Sequence, residues 1–298
     1  AYYIPVGHDY EGAPKQLDRD EVLKKLKPII EKTPLIGQHL KFDRNVLANY
    51  DIHLNTIEND TMLMSYIYDP TATRHNLDAM ASHYLNVKTT TFEDVAGKGV
   101  KQLTFNQIPL EKASDYAAED ADVALQLTYI YEKEMKEKGI GQFFYDVELP
   151  LLPVLLEMEF MGMFVDGEML ATMSEELGKK IDSLVADIQK EAGTEFNVNS
   201  TQQLANILFD IKGLPEIKKR STAENVLHRL KNENLIPGLV LEYRKLNKLK
   251  NTYIDALPSL IHHETKRIHS TFSQTITSTG RLSSSNPNFQ NIPIRTEE

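Results

Sequence analysis

The residues best suited to chemistry lie in the string "DYAAEDAD", where Tyr116 and Asp120 are four residues apart. On a helix that spacing puts both side chains on one face, while Glu119 and Asp122 point elsewhere. A carboxylate with a phenol one turn before it suits two-metal phosphodiester hydrolysis. The carboxylate binds a divalent cation and the phenol orients the attacking water. A plainer role also fits, because carboxylates near a helix start interact favourably with its dipole. The second candidate is "GQHLKFDRNVL". Asp43 follows an apolar run and opens a helix, where a carboxylate either caps or faces a site. Gln38 and His39 lie just before it, and no partner at zinc-ligand spacing accompanies His39.

Other strings carry less. "FVDGE" offers Asp166 and Glu168 as Asp-x-Glu, but Gly162 and Gly167 make it a turn, and Asp166 reads better as a helix N-cap. Asp146 and Glu148 sit on a helix, where i and i+2 face apart. "GKG" at 97–99 lacks the surroundings of a phosphate-binding loop. The string "TSTGRLSSSNPNFQNIPIR" gathers hydroxyls, a glycine, Arg281, Arg295 and the amides Asn286, Asn288, Gln290 and Asn291. Such a set can donate hydrogen bonds to phosphates, sugars and groove edges, although a plain loop has a similar composition.

The elements that must position these residues are mostly helical. "AYYIPV" reads as a strand from its aromatic and β-branched content. A helix follows from Asp18 to about residue 32, with Asp18 as N-cap and Glu21 three residues on. The pattern predicts further helices at 41–50, in "TIENDTMLMSYIY" and in "NLDAMASHYL". A long helix is expected from Pro109 to about residue 137, ended by Gly139 and Gly141. From Asp146 onward come an apolar helix, a turn at Gly162, and a helix with Leu170, Met173, Leu177, Ile181, Leu184 and Ile188 on one stripe. Ser200 and Gln203 form a capping-box pair for the next helix. Two more helices precede a β-like stretch over roughly the last 35 residues.

The chain has 298 residues, no cysteine and a net charge of −10. That length suggests about two domains. Disulfides, thiolate zinc sites, iron–sulfur clusters and cysteine nucleophiles are excluded. No apolar run reaches the roughly 18 residues of a membrane span. The charge is uneven: residues 1–138 carry a net −6, and residues 211–250 a net +6. A basic helical arm beside an acidic domain weakens the argument against a nucleic-acid partner that the total charge makes.

Together these strings resemble the bacterial family A DNA polymerases, the DNA polymerase I group. "TGRLSSSNPNFQNIPIR" resembles the motif that leads into the palm. "GQHLKFDRNVLANY" resembles the second 3′→5′ proofreading exonuclease motif, and "YAAEDADVALQL" the third, of Tyr-x3-Asp type. "GKGVKQLTFNQI" and "EYRKLNKLKNTYIDALP" are similar to the intervening region and the thumb. The resemblance implies an α/β ribonuclease H-like exonuclease domain, a mixed sheet with helices, over 1–138. A polymerase portion over 139–298 would follow, with a mainly helical thumb (about 146–262) and the first palm strands (about 263–298).

By residue, the resemblance makes Asp43 and Asp120 metal-associated carboxylates, with Tyr116 holding the water. Arg281 would contact the primer-template minor groove, with Gln290, Asn291 and Arg295 in that neighbourhood. Asn197, Asn199, Ser200 and Thr201 match the thumb tip that grips duplex backbone, and Lys245, Lys248 and Lys250 its basic helix. Gln38 and His39 would lie along the single-stranded 3′ end. His39 stands where the family commonly has Asn. The resemblance also implies two Mg²⁺ ions (Mn²⁺ as a substitute), primer-template DNA and dNTPs in the parent, a monomer, and a cytoplasmic, nucleoid setting. The family's Asp-x-Glu motif is expected upstream of Ala1, and the palm aspartates and fingers helix beyond Glu298. The chain is therefore expected to be a fragment with negligible exonuclease and no polymerase activity alone. A DNA-binding fragment with an inactive exonuclease-like scaffold and a related 3′→5′ exoribonuclease are the alternatives.

Overall fold

The computed structural model describes residues 1–292. Contacts divide the chain into two units: residues 1–161 with 271–285, and residues 162–270 with 286 onward.

In the first unit, α1 (Arg19–Ile30) starts where Asp18 accepts a hydrogen bond from the Glu21 amide. β1 (Leu35–Gly37) runs parallel to β2 (Ile57–Asp60), and α2 (Leu40–Ala48) connects them. α3 (Thr61–Tyr68), α4 (Leu77–Met80) and α5 (Phe92–Ala96) follow. The long helix α6 (Leu110–Lys138) ends at Gly139, whose φ of 70° suits a left-handed C-cap. α7 (Gly141–Phe143) and α8 (Leu149–Met161) come next. Met64, Met80, Leu127, Tyr131 and Phe144 form the core that fixes α6 against α3 and α4.

Two expectations fail here. "AYYIPV" is not a strand, because no described strand lies beside it to satisfy its backbone. The segment is held by side chains instead, Tyr3 bonding His8 at 2.6 Å and packing edge-on against Phe105. The stretch read as one helix over 56–68 is split, with β2 up to Asp60 and α3 from Thr61. Among the described residues the only parallel pairing is the two-stranded β1–β2 pair.

The second unit begins with the turn at Gly162. Its φ is +65°, and a Cβ there would lie 2.8 Å from His269 Cε1, so glycine is required twice over. β3 (Met163–Phe164) pairs antiparallel with β4 (Arg267–Ile268). α9 (Gly167–Ala192) is capped by Asp166, which accepts from Met169 N at 2.9 Å, as expected. α10 (Thr201–Ala205), α11 (Glu224–Leu230) and α12 (Leu235–Leu249) pack on it. Of the predicted α9 stripe, Ile181 and Ile188 reach the core and Leu184 packs beside it. The Ser200–Gln203 box forms by half. Ser200 Oγ accepts from Gln203 N, but Gln203 Oε1 takes the Asn197 amide instead of that of Ser200.

β5 (Thr271–Ser273) and β6 (Ser283–Ser285) form an antiparallel hairpin within the first unit. There Lys41 donates to Phe272 O and to Glu159 Oε1 at 2.6 Å, and Glu159 also accepts from Phe272 N at 2.5 Å. This buried ion pair ties α2, α8 and β5 together, with each charge satisfied by more than its partner.

Candidate functional site

Tyr116 and Asp120 share one face of α6, with the phenol close enough to the carboxylate for each to shift the other's acidity. The Tyr116 ring is wedged between Phe92 and Phe105, at centroid distances of 6.3 and 6.1 Å. Burial, then the Asp120 charge, pushes the Tyr116 phenol up to about 12. Burial pushes the Asp120 carboxyl up to about 6, against the downward pull of the neighbouring Tyr116 hydroxyl. Asp78 on α4 and Glu119 push both groups in the same direction. Asp78 itself accepts from Thr89 Oγ1 at 2.6 Å, and Glu119 from the Thr90 amide at 2.8 Å. Asp122 points away and bonds Gln126 on the exposed face.

Asp43 lies in the first turn of α2 with an exposed side chain, yet the mass around its carboxyl raises its pKa by desolvation. It is not the N-cap. That position belongs to His39, whose φ of 56° is left-handed and whose side chain makes no cap. The capping role falls to Asp60, 1% exposed. Its carboxylate accepts from the amides of His39 (3.3 Å), Leu40 (2.8 Å), Met62 (3.0 Å) and Leu63 (3.3 Å). One buried carboxylate thus joins the starts of α2 and α3. Gln38 spends both ends locally, donating to His75 O at 3.0 Å and accepting from Thr61 Oγ1 at 2.6 Å. The His39 ring stacks on Phe42 at 6.5 Å.

The charges that set Asp43's acidity belong to His39 and Asp60, and those that set Asp120's belong to Asp78 and Glu119. The two sets share no member. Among the described residues no three His, Asp or Glu side chains converge as a metal would require. Asp43 and Asp120 therefore do not by themselves complete a two-metal site.

In the second unit, Asn197, Asn199, Ser200 and Thr201 form the turn into α10. Asn197 Oδ1 accepts from Asn199 N at 2.9 Å. Asn199 and Thr201 line an open cleft of about 700 Å³ with Arg220, Thr222 and Arg244. Arg220 is engaged by Asp210 in a two-pronged pair at 2.7 and 2.8 Å, and Arg244 donates to Thr222 O. Lys245 and Lys248 on α12 are exposed. Lys250 is not equivalent to them, since it pairs with Asp255 at 2.7 Å and donates to Ser174 at 2.9 Å. Gln290 and Asn291 lie on a short 3₁₀ turn, where Asn291 O accepts from Tyr253. Arg281 is exposed and follows the turn at Gly280 in the β5–β6 hairpin. Arg295 lies outside the described residues.

Sequence reasoning missed Asp60, Asp78 and the Lys41–Glu159 pair. Asp60 left one signal, an Asp just before a helical run, which marks an N-cap. The other two depend on long-range packing.

Residues 1–136 match the family model described as "3′-5′ exonuclease", and residues 167–298 match "DNA polymerase family A". The chain is 48% identical over 309 aligned residues to DNA polymerase I of Pseudomonas aeruginosa, covering 100% of this chain and 34% of that protein. It is 38% identical over 314 residues to DNA polymerase I of Rhizobium leguminosarum, covering 100% and 31%. A solved structure, the POL domain of Pol1 from M. smegmatis in complex with DNA primer-template and dNTP, is similar with a TM-score of 0.79 and 28% identity. The similarity covers 94% of this chain and 47% of that one. The chain spans about a third of the length of these curated relatives.

Proposed function

From membership of DNA polymerase family A, to which this chain belongs by homology along its whole length with bacterial DNA polymerase I, we propose that it is the part of such an enzyme that joins proofreading to duplex gripping. The whole enzyme extends a primer on a DNA template with dNTPs and excises mismatched 3′ ends. Residues 1–138 belong to a ribonuclease H-like exonuclease domain. Residues 139–298 contribute the thumb (about 146–262) and the first palm strands (about 263–298). The enzyme works as a monomer in the bacterial cytoplasm, at the nucleoid. No single described helix is long and apolar enough to cross a membrane.

The observation that carries the exonuclease reading is the Tyr116–Asp120 pair, set one turn apart on one face of α6 inside the segment that matches the exonuclease model. A phenol held neutral up to about pH 12 donates a hydrogen bond across the working range. It can orient a water beside Asp120. Asp43, with Gln38 and His39 before it, faces the single-stranded 3′ end. We propose Mg²⁺ as cofactor, two ions with Mn²⁺ as substitute. The carboxylates described do not complete that site, so further ligands of Asp-x-Glu type must join Asp43 and Asp120. On the polymerase side, Asn197, Asn199, Ser200, Thr201, Lys245 and Lys248 hold duplex backbone, with Lys250 beside them engaged by Asp255 and Ser174, while Arg281, Gln290, Asn291 and Arg295 lie near the primer end.

The test is an exonuclease and duplex-binding assay on the 298-residue chain. We expect primer-template binding and negligible Mg²⁺-dependent digestion of single-stranded DNA. Digestion that disappears on Asp120→Ala would overturn the incomplete-site reading. An inert scaffold is the second reading, and it predicts the same inactivity of this chain alone. Adding an upstream segment bearing Asp-x-Glu decides between the two, since only a proofreading domain gains activity.

A further inference from the structure

We propose that Tyr66, a buried residue of α3 in the exonuclease-matching segment, is the positioning residue for the turn that presents Arg281. The inference rests on the reading of Arg281 as a primer-template contact and adds to it the residue through which the exonuclease segment controls that contact.

The geometry is specific. Tyr66 Oη donates to Thr277 O at 2.7 Å and accepts from the Gly280 amide at 3.0 Å. One hydroxyl thereby closes both ends of the turn 277–280, and Tyr66 is 4% exposed. Gly280 has a φ of +76°, a left-handed conformation that its lack of a side chain permits. Thr277 Oγ1 then donates to Arg281 O at 2.7 Å, fixing the backbone on the far side of that glycine. Arg281 itself is exposed, so its start direction is set by this turn and not by packing of its own side chain.

Tyr66 is itself held in place. His75 stands edge-on to its ring at 5.7 Å, and that imidazole bonds Ser65 Oγ at 2.9 Å and Pro70 O at 3.3 Å. The base of the hairpin is fixed separately through Lys41 and Glu159 at β5, and through Gln274, which donates to Glu148 Oε2 at 2.6 Å. Tyr66→Phe therefore removes the clamp on the turn while leaving the hairpin anchored. A phenol acting as donor and acceptor to two backbone groups of one turn lowers the conformational freedom of the next side chain. That freedom would otherwise have to be lost on binding DNA.

The experiment is a double-mutant cycle on primer-template binding by the full chain, using Tyr66→Phe, Arg281→Ala and both together, followed by fluorescence anisotropy. We expect Tyr66→Phe to weaken binding by about fivefold, the scale of ordering one long side chain on binding, and to add nothing in the Arg281→Ala background. Amide exchange at Gly280, followed by NMR, should speed up in Tyr66→Phe while amides of the β5–β6 hairpin stay protected. Additive losses in the cycle, or unchanged binding in Tyr66→Phe, overturn the positioning role while leaving the Arg281 contact standing. Unchanged Gly280 exchange overturns it as well. If Arg281→Ala binds duplex like the unaltered chain, the reading of Arg281 fails first, and the positioning role fails with it.

Discussion

Asp120 and Tyr116 hold a proton relationship that neither has alone. The carboxyl is pushed up to about 6 by burial and by Asp78 and Glu119, while the neighbouring Tyr116 hydroxyl resists that rise. Removing that hydroxyl by Tyr116→Phe should move Asp120's titration midpoint further up, which carboxyl-resolved NMR across about pH 4–8 would read; a fall would contradict the stabilising role of the phenol. A stability consequence has a definite sign. Because the folded pKa lies above the ordinary 3.8, the folded state keeps the proton longer than the unfolded chain. Stability from this carboxyl is full below about pH 4 and is lost as pH rises through about 6. Asp120→Asn should therefore stabilise the chain at pH 7 by about 1 kcal/mol, a value discounted for the group's partial exposure. The gain should vanish near pH 4, as paired urea melts at the two pH values would show.

At the scale of elements, Asp60 matters most. It satisfies four amides at the starts of α2 and α3, and α2 carries Asp43 while α3 carries Tyr66. Asp60→Ala leaves those buried donors without their acceptor and should destabilise the first unit by roughly 2–4 kcal/mol in urea unfolding. Asp60→Asn, which keeps one acceptor oxygen, should lose less. A loss below 1 kcal/mol for the alanine variant would mean that water replaces the carboxylate. Elements with local signals were legible in the sequence. Asp18 and Asp166 cap the helices expected of them, and Gly139 ends α6, because a cap needs only neighbours within one turn. Elements that need a distant partner were not. The string at 1–6 has strand composition but no strand beside it, and β2 was hidden inside a helical-looking run because its partner β1 lies about 20 residues away. The site divides in the same way. Tyr116 and Asp120 announce themselves by i, i+4 spacing, whereas Asp78 reaches their neighbourhood only through the packing of α4 on α6.

For the molecule as a whole, charge is the property that the total misrepresents. The net −10 suggests an aversion to DNA, yet residues 211–250 alone carry a net +6. Even that local figure overstates what is available. Arg220 is tied to Asp210, Arg244 to Thr222, and Lys250 to Asp255 and Ser174. Lys245 and Lys248, exposed on α12, are better placed to displace counterions from a phosphate backbone. Counterion release makes the logarithm of affinity fall with the logarithm of salt concentration, by about 0.9 for each phosphate neutralised. Lys245→Ala and Lys248→Ala should each flatten that slope by about 1 in primer-template titrations between low and moderate salt. Lys250→Ala should leave the slope where it was and lower the melting temperature instead, because it removes the ammonium that bonds both Asp255 and Ser174 and helps join the end of α12 to α9. If Lys250→Ala flattened the slope as much as the other two, its ion pair would have to open when DNA binds. The charge that DNA encounters would then be the whole stretch's +6, and not the smaller remainder left when Asp210 and Asp255 just outside it neutralise Arg220 and Lys250.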